Sequence, residues 1–262
     1  MFAVAFAAMA FVACGGKQSA QAVEETDSVK SFEQEQVEAK IKVELDSLAS
    51  ALGQLKQLPF VQKSDDGVKL TDQEKQVKPD YLLNPAVAEE AATLAEKYRM
   101  VSALSVDKQV AALYDMPTDE FDKAISKLVA DINDPSFKEI DDAGTIFETT
   151  EKLYESMEAN GRINYFWQLA ATSLVEELYV MTQNTEKFIT VFDDESASNV
   201  TYRIALLIDA IDRLSEYDPD IEPIAAAISP LNVLNAISVD QLKSQITEAK
   251  TQIIEARKAL VK

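Results

Sequence analysis

The chain contains no histidine. That absence removes Ser-His-Asp and Cys-His nucleophilic sites, histidine-ligated zinc and the Glu-x-x-His ligand sets of di-iron bundles. Any catalysis has to rest on carboxylates, lysine, tyrosine or serine. A single cysteine among 262 residues excludes an intrachain disulfide, so the fold relies on its apolar core. Glycine is scarce, at 6 residues, and no Gly-rich phosphate loop, Walker sequence or G-x-S-x-G elbow occurs. Basic charge is in deficit: 25 Lys and Arg face 45 Asp and Glu, for a formal net charge of -20. Such a surface repels a phosphate backbone, so nucleic acid is not an expected partner, and anionic lipid headgroups are repelled for the same reason. No cofactor is expected.

What is present favours helix. Hydrophobic residues make up 47% of the chain and charged residues 27%, the profile of a globular protein long enough to bury a substantial core. Abundant Ala, Leu, Glu, Lys and Gln favour helix over sheet. The expected fold class is all-α, one multi-helix bundle domain over 32–262, with a small hairpin near 60–71. There the Asp66-Gly67 pair suits a type I′ turn between Phe60-Val61 and Val68-Leu70.

The longest apolar run is MFAVAFAAMAFVA, Met1 to Ala13, and it carries no charge. Thirteen residues are too few to span a bilayer as a helix, which takes about 20, but they suit the apolar region of a secretory signal. Cys14, Gly15 and Gly16 follow directly. With its Phe11-Val12-Ala13-Cys14, the segment resembles the lipobox of bacterial lipoprotein precursors, with Phe11 where that family usually carries Leu. The resemblance implies a signal peptide over 1–13, cleavage before Cys14 and acyl chains on its sulfur. It also implies a lipid-anchored protein of the bacterial cell envelope, periplasmic or surface-exposed. Two or three acyl chains give the stable anchoring that one chain cannot. Residues 14–31 are polar and without apolar periodicity, and read as a tether reaching about 20–25 Å.

Helices follow along the rest of the chain. Val37, Ile41, Leu45, Leu48, Leu52 and Leu55 form one stripe, so a helix is expected from Phe32 to Gln57. Thr71-x-x-Glu74 has the capping-box pattern. Asn84 with Pro85 opens a helix running to about Leu104, and a shorter one is expected from Asp107 to Tyr114. Another runs from Thr118 to Ile132, and a less regular one from Pro135 to Ala159, weakened at Gly144. Asn160-Gly161 reads as a left-handed stop. Ile163 to Gln183 is apolar on more than one face, which places it near the bundle centre. A short turn covers Phe188 to Phe192. The next helix, capped by Ser196 or Ser198, extends to Tyr217. Ser238-x-x-Gln241 opens the last, which ends on Arg257, Lys258 and Lys262.

Candidate sites are few. Asp218, Asp220 and Glu222 alternate carboxylates in a non-helical stretch and are the candidate metal ligands, in a calcium-binding turn. They lack the Gly and the distal Glu of a full loop motif. Asp141-Asp142 and Asp193-Asp194-Glu195 fit helix N-termini. Glu176 and Glu177 follow the aromatic stretch Tyr165-Phe166-Trp167, but neighbours on a helix point about 100° apart and cannot face one substrate together. Trp167 is expected in the core. Acids dominate 131–158 and 186–222, whereas 243–262 is basic.

No catalytic residues can be named. The function expected is a non-catalytic binding or scaffold role, engaging an envelope protein or an apolar ligand held between helices. A carboxylate-based glycan hydrolase of the envelope is the first alternative, recognisable by two carboxyls about 5–10 Å apart across an open groove. A calcium-dependent adhesion or assembly factor is the second.

Overall fold

Capping side chains start five of the described α-helices. The computed structural model describes residues 32–55, 59, 67–139 and 150–261, and among them are eleven α-helices, four 3-10 segments and no strand. The signal and lipobox, Cys14, the tether, Asp141-Asp142 and Gly144 lie outside the described residues. The turn expected at Asp66-Gly67 begins outside them too. Val68 to Leu70 run on without a strand partner, and Val68 is instead buried in the bundle. The fold is all-α.

Helix α1 spans Phe32–Gly53 and α2 Asp72–Gln76. The second starts on a complete capping box, in which Glu74 N donates to Thr71 Oγ1 at 3.3 Å and Thr71 N to Glu74 Oε2 at 2.6 Å. Asn84 caps only a short 3-10 segment, Pro85–Glu90. A second capping box, Thr93 with Glu96, restarts the chain as α3, Leu94–Leu113. The single helix expected from Asn84 to Leu104 is therefore two elements. The break expected near Asp107 does not occur, because no Gly or Pro interrupts that stretch and Ser105 only returns its hydroxyl to the Val101 carbonyl. Asp107 sits in the interior of α3.

Helix α4, Asp119–Ile132, ends where Asn133 turns left-handed at φ 53°. After the 3-10 segment Pro135–Glu139, α5 covers Thr150–Ala159. Gly161, at φ 67°, then reverses the chain, and Arg162 N donates back to the Met157 carbonyl at 2.7 Å. The central helix α6 is Ile163–Gln183 and α7 is Thr185–Phe188. Asp193, not a serine, caps α8, Asp194–Ser215: its carboxylate accepts from Ser196 N at 2.8 Å. Helix α9 is Glu222–Ile228. The last helix is two: α10, Val239–Glu248, and α11, Lys250–Leu260, meet at Ala249, whose ψ of 8° breaks the helical run.

Helix α6 threads the core because apolar side chains cover more than one of its faces. Phe166, Trp167, Leu174, Val175, Leu178 and Met181 are all buried and reach opposite neighbours. Helices α3, α5, α8 and α11 pack around it. Small residues let α3 come close: Ala103 meets an α6 carrying Ala170 and Ala171, and Ser102 donates to the Leu169 carbonyl at 2.8 Å. Trp167 forms an edge-to-face cluster with Phe166, 5.1 Å away, and Tyr154, 6.0 Å away. Tyr98 is sandwiched between Tyr165 and Phe137, and its hydroxyl donates to Asp134 at 2.5 Å. One continuous core joins Leu45 of α1 to Leu260 of α11. No described helix is long and apolar enough to cross a membrane.

Candidate functional site

Two glutamates in the middle of α6 are the most unusual residues of the core. Glu176 and Glu177 are 0% and 2% exposed, and a buried carboxylate is costly unless it is paired or protonated. Their side chains diverge by the angle between helix neighbours. Each meets a different arginine from a different helix.

Glu176 points between α3 and α11. Arg257 of α11 grips it with both edges: Nε lies 2.9 and 2.8 Å from the two carboxylate oxygens, and Nη2 is 2.7 Å from Oε1. The guanidinium also rests on the ring of Tyr179, 3.9 Å from its centroid. Tyr179 is three residues after Glu176, hence on the same face. Asp107 of α3 completes the cluster at 0% exposure. Its Oδ2 accepts from Leu83 N at 2.6 Å and lies 3.8 Å from Arg257 Nη2. Burial raises the Asp107 carboxyl well above the usual carboxylate range, and the neighbouring Glu176 charge raises it further. Burial alone would lower Arg257, but its bond to Glu176 and the Asp107 charge outweigh that and hold it fully charged. Tyr81 stands edge-on to Tyr179 at 6.4 Å and closes the other side. Burial raises its hydroxyl out of the titratable range.

Glu177 points toward α8. Arg203, 1% exposed, faces it and gives Nη2 to the Leu55 carbonyl at 3.4 Å. Burial pushes the Glu177 carboxyl up to about 7, with the Arg203 charge working against that rise. The same burial lowers Arg203 to about 10. Desolvation outweighs attraction in this pair, the usual balance for buried ions. A third buried arginine, Arg99, donates Nη1 to Gln168 at 2.6 Å and Nε to the Leu260 carbonyl at 2.9 Å, tying the end of α11 to the bundle.

Chemically, the Asp107–Glu176–Arg257 cluster can store a proton, but a substrate cannot reach it. Both carboxyls are buried, and Arg257 takes both oxygens of Glu176. A groove around several carboxyls lies between α1 and α5. It has a volume of about 200 Å³ and is lined by Asp46, Glu151, Tyr154, Glu155 and Glu158. Lys42 bridges Asp46 and Glu158 there, and the Tyr154 hydroxyl donates to Asp46 at 2.8 Å. Between α6, α8 and α9 lies an apolar cavity of about 10 Å³, lined by Leu174, Ile204, Leu207 and Ile228 among others. That space is about the size of one water.

Asp218, Asp220 and Glu222 are not brought together as a metal site. Asp218 accepts from Asp220 N at 3.0 Å in a turn and Glu222 begins α9. No group of three potential metal ligands occurs among the described residues. Trp167 is in the core, as its helix suggested. Compared with protein-family models, with curated proteins and with solved structures, the chain matches none. Function has to be argued from its own residues.

Sequence reasoning found Glu176 and Glu177 but missed Asp107, Arg203 and Arg257 as their neighbours. The signal was there. Each is a charged residue one or two places from a buried apolar stripe: Asp107 beside Leu104 and Val106, Arg203 before Ile204, Arg257 after Ala256.

Proposed function

We propose that this chain is a bacterial lipoprotein of the cell envelope. Cys14 carries the acyl chains, the stretch to Ser31 is a tether, and the helical body is a binding or scaffold module. The observation that carries this reading is the position of the lone cysteine. It follows thirteen uncharged apolar residues and precedes a polar stretch. A non-catalytic role is supported by the burial of the Asp107 and Glu176 carboxyls beside Arg257. Of the two kinds of partner, a protein fits better than an apolar ligand: the apolar cavity between α6, α8 and α9 holds no more than a water, and the larger groove of about 720 Å³ against α9 and α11 is open and carries Glu248 and Glu255 beside Pro223 and Ala226. A protein with a basic face suits the acidic outer surface of the body.

The test is replacement of the anchor. In a bacterial host, Cys14→Ser moves the protein from the membrane fraction to the soluble fraction, and the acyl mass on the N-terminal peptide disappears. An intact Met1 with an unmodified Cys14 thiol in the purified native protein overturns the proposal.

A further inference from the structure

We propose that Asp107 carries a proton that it donates to Glu176, and that this proton clasps α11 to the bundle, so that its loss lets α11 open on the Ala249 bend while the remaining helices stay folded. The case starts from counting charge. Two carboxyls at 0% exposure share one guanidinium, whose side chain is 15% exposed. With both carboxyls ionised, the dry site carries an uncompensated negative charge. Counting donors leads to the same place. Both oxygens of Glu176 are taken by Arg257 and Oδ2 of Asp107 by Leu83 N, while Oδ1 of Asp107 is buried with no donor directed at it. A proton on Asp107 supplies a hydrogen bond to Glu176 and neutralises the cluster.

The surrounding groups do not change this balance. From α6 come Glu176 and Tyr179, and from α11 only Arg257 reaches the carboxyls. Tyr81 and Asp80 approach from the segment before Asn84, where Asp80 adds negative charge. Tyr114, at the end of α3, faces Tyr81, and Lys78 is committed to the Tyr114 carbonyl. Lys108, next to Asp107 on α3, is paired with Asp122 of α4 at the half-exposed outer surface. Placement favours local opening over global unfolding. Helix α11 bends away from α10 at Ala249 and covers the cluster with its one arginine.

Amide hydrogen exchange across pH on the full chain tests the proposal. A clasp that binds a proton when closed and releases it when open makes opening up to tenfold more favourable per pH unit. After correction for intrinsic exchange, protection of residues 253–260 falls by that factor from about pH 4 upward, then levels off once the cluster has titrated. Residues 253–260 exchange through a local opening, at lower protection than α3 and α6, which open only on global unfolding, where Glu177 also releases its proton. Asp107→Asn, whose amide donates to Glu176 without titrating, removes the trend in 253–260. Wild-type protection of 253–260 independent of pH overturns the clasp, as does protection there equal to that of α3 and α6 at every pH, or a trend that persists in Asp107→Asn. If that variant does not fold, the wild type alone still decides through its α11 profile. In Glu177→Gln a protonated-carboxyl infrared band that persists above the usual carboxylate range is then expected, and its absence also overturns the clasp.

Discussion

Replacing Glu177 with glutamine should stabilise this protein at mildly alkaline pH, against the general expectation that breaking a buried ion pair destabilises. The carboxyl is fully buried and its pKa rises from 4.5 to about 7, which corresponds to roughly 3 kcal/mol at about 1.4 kcal/mol per tenfold. The sign follows from linkage. Between those two values the folded state holds a proton that the unfolded chain has lost, so stability is full below pH 4.5 and drains away as pH rises through 7. Glutamine has the shape of the protonated acid and never ionises. At pH 4 the variant and the wild type should be equally stable. By pH 8 the variant should be ahead by up to about 3 kcal/mol, a melting difference of roughly 6–12 °C for a chain of this size. Urea titrations at half-unit pH steps measure it, and the difference between the two proteins cancels the contribution of Asp107. Parallel curves, or a variant less stable than wild type at pH 8, would show that Arg203 attracts the carboxylate more strongly than burial repels it.

Two further predictions concern the fold. Trp167→Ala removes a fully buried indole from its contacts with Phe166 and Tyr154 and should cost about 3–5 kcal/mol in urea denaturation; a loss under 1 kcal/mol would mean that the cluster does not hold α5 to α6. Gly161→Ala meets no neighbouring atom within 4 Å but is forced to φ 67°, so it should cost about 1 kcal/mol by conformation alone, with Gly161→Asn costing less. Equal losses for Ala and Asn would contradict that cause.

Local chemistry was legible where it is self-contained. The Thr71–Glu74 capping box, the Gly161 stop and the limits of α6 depend on residues within one turn of each other, and all were readable from the chain. Where two local signals competed, reading failed. Asn84-Pro85 was as good a helix start as Thr93 with Glu96, yet the first opens only a 3-10 segment because the chain turns at Ala91 before an α-helix can propagate. The same limit hid the bend at Ala249, since alanine is the best helix former and only the packing of α10 and α11 against different neighbours breaks the run there.

By itself the sequence determined the all-α class, the central place of α6 and the chemistries that a chain without histidine cannot perform, because composition and periodicity act within single helices. Only the tertiary structure decided what Glu176 and Glu177 do. Their separation on the helix ruled out a shared substrate, but their arginines come from residues 81 and 26 positions away. Burial, a property of the assembled bundle, turned Glu177 from an ordinary surface-type residue into a proton-binding group and fixed Glu176 as the partner of Arg257. Desolvation depends on everything packed around a charge, and no stretch of chain carries that information alone.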